Sequence, residues 1–209
     1  GREFQEAVAH ARDLASDPDA VFVHAYDDPD IVAGQGTLGL EIAEQVPDLD
    51  TVIVPIGGGG LISGIATAVK AHDPDIRVIG VQAEGASSAA ESLRKGEIYE
   101  RESVDTIADG IATRRIGDRT FEVIREHVDE VVTVDDESIA IALTYLLERE
   151  KALAEGAGAI SLAALLSGAI EYAEGETIVP ALCGGNIDLN MLTTVVMRGL
   201  VATGRYLRF

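Results

Sequence analysis

Cysteine is nearly absent from this chain: Cys183 stands alone, so no disulfide can close within it. Positive charge is also scarce. Sixteen basic residues face 36 acidic ones, a formal net charge of −20, which excludes nucleic acid and anionic membrane as natural partners, because phosphate-rich surfaces are bound by basic ones. Only Lys70, Lys95 and Lys151 are lysines. An acidic surface repels itself unless salt screens it, so composition leaves a high-salt cytosol and an ordinary acidic enzyme both open. No apolar run approaches a membrane-spanning length, and no basic-then-apolar secretory pattern opens the chain. A cytoplasmic location is the expectation. His10, His24, His72 and His127 lack metal-ligand spacing, so no metal is expected and they read as structural or surface residues. Both ends read as cut: Gly1 opens in the approach to a helix, and residues 205–209 alternate like the start of a strand.

What is present is apolar and periodic. Hydrophobic residues make up 47% of 209, enough for one α/β domain and a fragment of another. Apolar positions at helical spacing over residues 4–15 give way to a short strand at 20–24, then to a turn-rich stretch at 26–30 that marks a candidate domain boundary. From Thr37, read as a helix cap, helices at 37–45, 61–72, 86–95 and 119–127 alternate with strands at 51–55, 77–82, 130–134 and 177–182. Longer helical patterns cover 136–153 and 157–168. The strands are unbroken apolar runs such as Val52-Ile53-Val54, which marks burial on both faces. The predicted fold is therefore α/β: three layers, a mostly parallel twisted sheet with helices on both faces.

The stretch Val54-Pro55-Ile56-Gly57-Gly58-Gly59-Gly60-Leu61-Ile62-Ser63-Gly64 carries the chemistry. Four glycines between a buried strand and a helix leave backbone N–H groups open at the positive end of a helix, an anion cradle suited to phosphate. A tight turn that binds nothing would need only one. A nucleotide loop requires Gly-Lys-Ser/Thr at the helix start, and here Gly64 is followed by Ile65-Ala66. The dinucleotide spacing fails in each register, which leaves Glu84, placed where a ribose-binding acid would stand, as a minor pointer to nicotinamide.

This loop resembles the phosphate loop of the fold-type II pyridoxal-phosphate enzymes, in their threonine/serine dehydratase and serine racemase branch. The likeness extends, in the branch's order, over Ala33-Gly34-Gln35-Gly36-Thr37, Ala108-Asp109-Gly110, Glu155-Gly156-Ala157-Gly158-Ala159 and Cys183-Gly184-Gly185-Asn186-Ile187-Asp188. It implies a cofactor, pyridoxal 5'-phosphate, whose phosphate is held by the N–H groups of Gly57, Gly58, Gly59, Gly60 and Leu61. It places Gly110 near the substrate side of the cofactor and Glu155 near the pyridine ring, although a carboxylate at a helix start is also a plain cap. Cys183 falls where many relatives carry a serine facing the pyridine nitrogen; a lone cysteine is otherwise a small core residue. A thiol there is a neutral partner, which suits β-elimination better than transamination. Arg114-Arg115 stands out on an acidic chain as a candidate anion site, with a surface or inter-subunit ion pair as the plainer reading.

The resemblance further implies a Schiff-base lysine in a Ser-x-Lys motif upstream of Gly1, so no catalytic residue is assigned within this chain. Residues 1–33 would be the tail of a small domain and 34–209 the large cofactor-binding domain. The implied activity is deamination of L-threonine to 2-oxobutanoate and ammonia, serving amino-acid metabolism and isoleucine biosynthesis, by a homo-oligomer when intact. Its partner is a small amino-acid substrate, threonine or serine. Serine dehydratase or racemase is the nearer alternative, and a non-catalytic binding domain with the same fold the more distant one. Serine racemases hold a divalent cation on acidic side chains after the strand matching 77–82; Gln82 and Ser88 occupy those positions here.

Overall fold

The computed structural model describes residues 4–207; Gly1 and the last two residues of the predicted terminal strand lie outside them. In chain order the elements are α1 (Phe4–Leu14), α2 (Pro29–Gln45), β1 (Thr51–Pro55), α3 (Gly60–His72), β2 (Arg77–Ala83), α4 (Ser88–Lys95), α5 (Asp118–His127), β3 (Glu130–Val134), α6 (Asp136–Tyr145), α7 (Gly156–Leu166), β4 (Ile178–Pro180) and α8 (Leu189–Ala202). The four strands form one parallel sheet in the order β3-β2-β1-β4.

Alternation along the central strands sends side chains into two separate cores. Val52, Val54 and Val78 pack with Ile62, Ile65 and Val69 of α3 and with Phe121 and Ile124 of α5. Ile53, Ile79 and Val81 face the other way, onto Ile139 and Leu143 of α6 and Ile160 and Ala163 of α7. Each fully buried isoleucine contributes about 1.5–3 kcal/mol relative to exposure. The expected three-layer sheet with helices on both faces is the one observed.

Helix α2 forms an outer layer on α3, and the two backbones nearly touch. A Cβ on Gly64 would run into Val32 O and Gly36 N, and one on Gly39 would stand 2.9 Å from Ile65 O. The Gly34-Gln35-Gly36 motif is thus part of a helix–helix contact that fixes the helix leading out of the glycine loop.

Several boundaries differ from the sequence reading. Helix α2 starts at Pro29, because the Asp28 carboxylate caps it by accepting from Asp30 N at 2.9 Å and Ile31 N at 3.4 Å. Thr37 lies inside that helix and donates to Gly34 O. No strand forms at 20–24; Val21 is 88% exposed, and no strand among the described residues lies beside it. The 136–153 helix breaks into α6, a wide turn at Leu146–Glu150, and Lys151 at φ 58°. The last strand shrinks to three residues. Helix α8 was not anticipated; Asp188, read only as part of a motif, is its cap, accepting from Asn190 N and Met191 N at 2.9 Å. Residues 203–207 form a turn and irregular chain.

Candidate functional site

In a parallel α/β sheet the ligand crevice opens at the C-terminal strand ends, where helix N-termini and loops converge. A cavity of about 470 Å³ occupies that place. The end of β1 supplies Pro55 and Gly57–Gly60, with Leu61 following at the start of α3; the chain after β4 supplies Cys183 and Gly184. Glu155 and Ala157 enter from the start of α7, and Asp109, Gly110 and Thr113 from the connection before α5. All eight residues singled out in the sequence (Gly57, Gly58, Gly59, Gly60, Leu61, Gly110, Glu155 and Cys183) line this single cavity.

The glycine loop is built for close approach. Gly58, Gly59 and Gly60 are buried, and among the described residues the N–H groups of Gly57 through Leu61 have no protein acceptor. A buried N–H without a partner costs about 1–3 kcal/mol, so a row of them facing a cavity at a helix start favours an anion. Gly59 adopts φ 97°, a conformation that L side chains rarely take. The loop's position is held from outside: Gly58 O accepts from Gly117 N at 3.1 Å and from the buried Thr120 hydroxyl at 2.7 Å. Tyr26 covers the loop so closely that a Cβ on Gly58 would enter its ring. Burial pushes the Tyr26 phenol above its ordinary range, and its hydroxyl donates to Arg115 O at 3.3 Å.

Opposite the loop, Glu155 occupies the N-cap position of α7 but its side chain makes no capping hydrogen bond. Its carboxylate accepts instead from Asn186 N at 3.1 Å, while its own N–H donates to Gly184 O at 3.2 Å. A Cβ on Gly110 would stand 2.8 Å from Glu155 Oε1, and one on Gly184 would overlap the same carboxylate. The acid is therefore tucked between two glycines at the cavity wall. Gly158 lets the backbone of Cys183 and Gly184 press against α7, which joins two of the matching motifs. Desolvation raises the Cys183 thiol pKa, and the nearby Glu155 charge raises it further, so at neutral pH it is an S–H group.

No lysine lines the cavity among the described residues. Lys70 pairs with Asp129 at 2.8 Å, Lys95 lies over the Tyr99 ring, and Lys151 donates to Glu148 O. Arg114 and Arg115 form ion pairs with Glu100 and Asp118. Glu84 is exposed in the turn after β2.

Residues 1–184 match the family model described as "Pyridoxal-phosphate dependent enzyme". This chain belongs to the pyridoxal-phosphate dependent enzymes. Within that family it is 51% identical over 208 residues to the L-threonine ammonia-lyase of Geobacter sulfurreducens, a match covering 100% of this chain and 52% of the relative. The crystal structure of a threonine deaminase from T.th. superposes with a TM-score of 0.80 at 41% identity, over 85% of this chain and 66% of that one. Maize serine racemase gives 0.86 at 38% identity, over 97% and 62%. The chain spans about half the length of the curated relatives it matches.

For a family member, two cavity features carried no sequence signal. Tyr26 lies in the turn before α2, far along the chain from the loop it covers, and no spacing rule links the two. Thr113 lines the cavity with a buried hydroxyl that has no partner among the described residues. A threonine in an irregular stretch does not announce such a position.

Proposed function

We propose that the protein carrying this chain is a pyridoxal-phosphate-dependent lyase that converts L-threonine to 2-oxobutanoate and ammonia. The observation that carries the reading is the row of acceptor-free N–H groups from Gly57 to Leu61 opening into one cavity with Gly110, Glu155 and Cys183. These N–H groups would hold the cofactor phosphate, whose dianion satisfies donors that the protein leaves open. When bound, the cofactor supplies an electron sink that acidifies the substrate's Cα–H. Glu155 contributes a carboxylate fixed by Asn186 N, able to orient a polar edge of the ring rather than to cap its helix. The Cys183 thiol stays protonated and would offer the pyridine nitrogen a neutral neighbour, a setting that would favour loss of a β-substituent over amino transfer.

The reading includes an anchoring lysine contributed by the part of the relatives that this chain does not match, since Lys70, Lys95 and Lys151 are all placed away from the cavity. It also includes residues 1–33 as the tail of a small domain and 34–209 as the large domain, a cytoplasmic homo-oligomer, and supply of 2-oxobutanoate to isoleucine biosynthesis. Names of relatives at 51% and 47% identity support threonine over serine racemisation. The test is product analysis with the full-length protein and added cofactor. 2-Oxobutanoate and ammonia are expected from L-threonine, and a polypeptide limited to residues 1–209 is expected to yield none. Formation of D-serine from L-serine without release of an oxo acid would overturn the assignment.

A further inference from the structure

Asp27 lies outside the cavity, yet it organises the element on which the glycine loop rests. Its carboxylate accepts three successive backbone N–H groups at the start of α5: Asp118 at 3.1 Å, Arg119 at 3.0 Å and Thr120 at 3.3 Å. Helix α5 then returns two hydrogen bonds to the loop, from Gly117 N and from the Thr120 hydroxyl, both to Gly58 O. The junction is built without slack. A Cβ on Gly117 would strike the Asp27 carboxylate, and one on Gly59 would stand 2.8 Å from Thr120 Cβ. Asp27 itself is fixed by His24 Nδ1, which accepts from Tyr26 N at 3.3 Å and Asp27 N at 2.9 Å. The same turn seats Tyr26 on Gly58 and Gly60.

Helix starts are commonly capped by the residue at the N-cap itself, as Asp135 does for α6 by accepting from Ser138 N at 2.7 Å. Asp27 reaches α5 from 91 residues earlier in the chain, and the Gly117 N-cap of α5 makes no side-chain capping bond. We propose that Asp27 is a positioning residue that sets the orientation of the loop N–H groups through α5 and the carbonyl of Gly58. Because Gly58 O is held on one side, the peptide plane it shares with the Gly59 N–H is restrained, and the loop keeps the orientation in which its free N–H groups line the cavity. The inference rests on the reading that this loop holds the cofactor phosphate.

The test uses the full-length protein, stripped of cofactor. It measures pyridoxal phosphate affinity by equilibrium dialysis and the ³¹P resonance of the bound phosphate, alongside thermal stability. Asp27→Ala is expected to weaken affinity about tenfold or more, roughly the worth of one charge-assisted hydrogen bond, and to shift the phosphate resonance. Asp27→Asn, whose side-chain oxygen still accepts from N–H, should retain part of the affinity. Asp135→Ala removes a cap on the other face of the sheet; it should lower stability while leaving affinity and resonance at wild-type values. Should Asp27→Ala fail to fold, Thr120→Val and Thr120→Ser interrogate the same link: loss of the hydroxyl weakens binding, and the serine restores it. A wild-type protein that binds no cofactor removes the phosphate reading itself. A wild type that binds while Asp27→Ala and Thr120→Val bind equally well, with an unmoved resonance, overturns the positioning role alone.

Discussion

Replacing single glycines of the loop by alanine should give a graded loss of stability set by two separable quantities, backbone conformation and space. Gly59 carries both. At φ 97° an L-residue costs about 1–2 kcal/mol, and its Cβ would stand 2.8 Å from Thr120 Cβ and Oγ1 and 3.0 Å from Ile124 Cδ1. Thr120 and Ile124 are fully buried, so neither can step aside, and overpacking of this kind adds about 1–3 kcal/mol. Gly59→Ala should therefore cost about 2–5 kcal/mol, a large share of the stability of an ordinary domain. Gly96 isolates the first quantity: it has φ 75°, but a Cβ there meets nothing within 4 Å, so Gly96→Ala should cost only the conformational part. Gly57 isolates the second more mildly, with negative φ and a nearest contact of 3.1 Å to Ile111 Cα. Its alanine variant should cost about 1 kcal/mol at most. Urea unfolding of the three full-length variants gives the ranking directly. Equal midpoints for Gly59→Ala and Gly96→Ala would refute the claim that Thr120 and Ile124 leave the loop no room.

Other outcomes follow from single features. With a net charge of −20, the melting temperature should rise from dilute buffer to molar potassium chloride as self-repulsion is screened; a flat response would count against a salt-dependent fold. The Cys183 thiol, raised by burial and by Glu155, should alkylate more slowly than a free thiol across the ordinary thiol range. Its folded-state pKa exceeds the unfolded one, so its contribution to stability is complete below the unfolded value and declines as pH rises through the folded one. Gln82 is fully buried and uses both ends of its amide, donating to Ile56 O at 3.3 Å and accepting from Ala89 N and Ala90 N at 2.9 and 3.0 Å. Gln82→Glu should thus destabilise by about 2–4 kcal/mol at neutral pH, with stability returning as pH falls and the buried carboxyl gains its proton; insensitivity to pH would show water reaching the site. Magnesium or calcium should give no specific heat on titration, since that amide oxygen already accepts two N–H groups and Ser88 brings no charge.

The sequence by itself determined the layers and the open glycine loop, because both depend on short-range patterns. Unbroken apolar strands such as Val52-Ile53-Val54 can only be covered on two faces, and four glycines between a strand and a helix can only leave N–H groups open. Gly110, Glu155 and Cys183 are reached only through the resemblance to the pyridoxal-phosphate enzymes, because alone they read as a turn, a cap and a small core residue. Tertiary structure decided what depends on groups far apart in the chain. Glu155 gave up the capping role its position suggests because Asn186 N, brought round by the chain after β4, is the better-placed donor. The apolar stretch at 20–24 stayed irregular because a strand needs a neighbouring edge and no described strand offers one. Asp27, read as part of a turn, became the support of a helix 91 residues away, since a carboxylate satisfies whichever N–H groups the fold brings within reach, and no local spacing records which those will be.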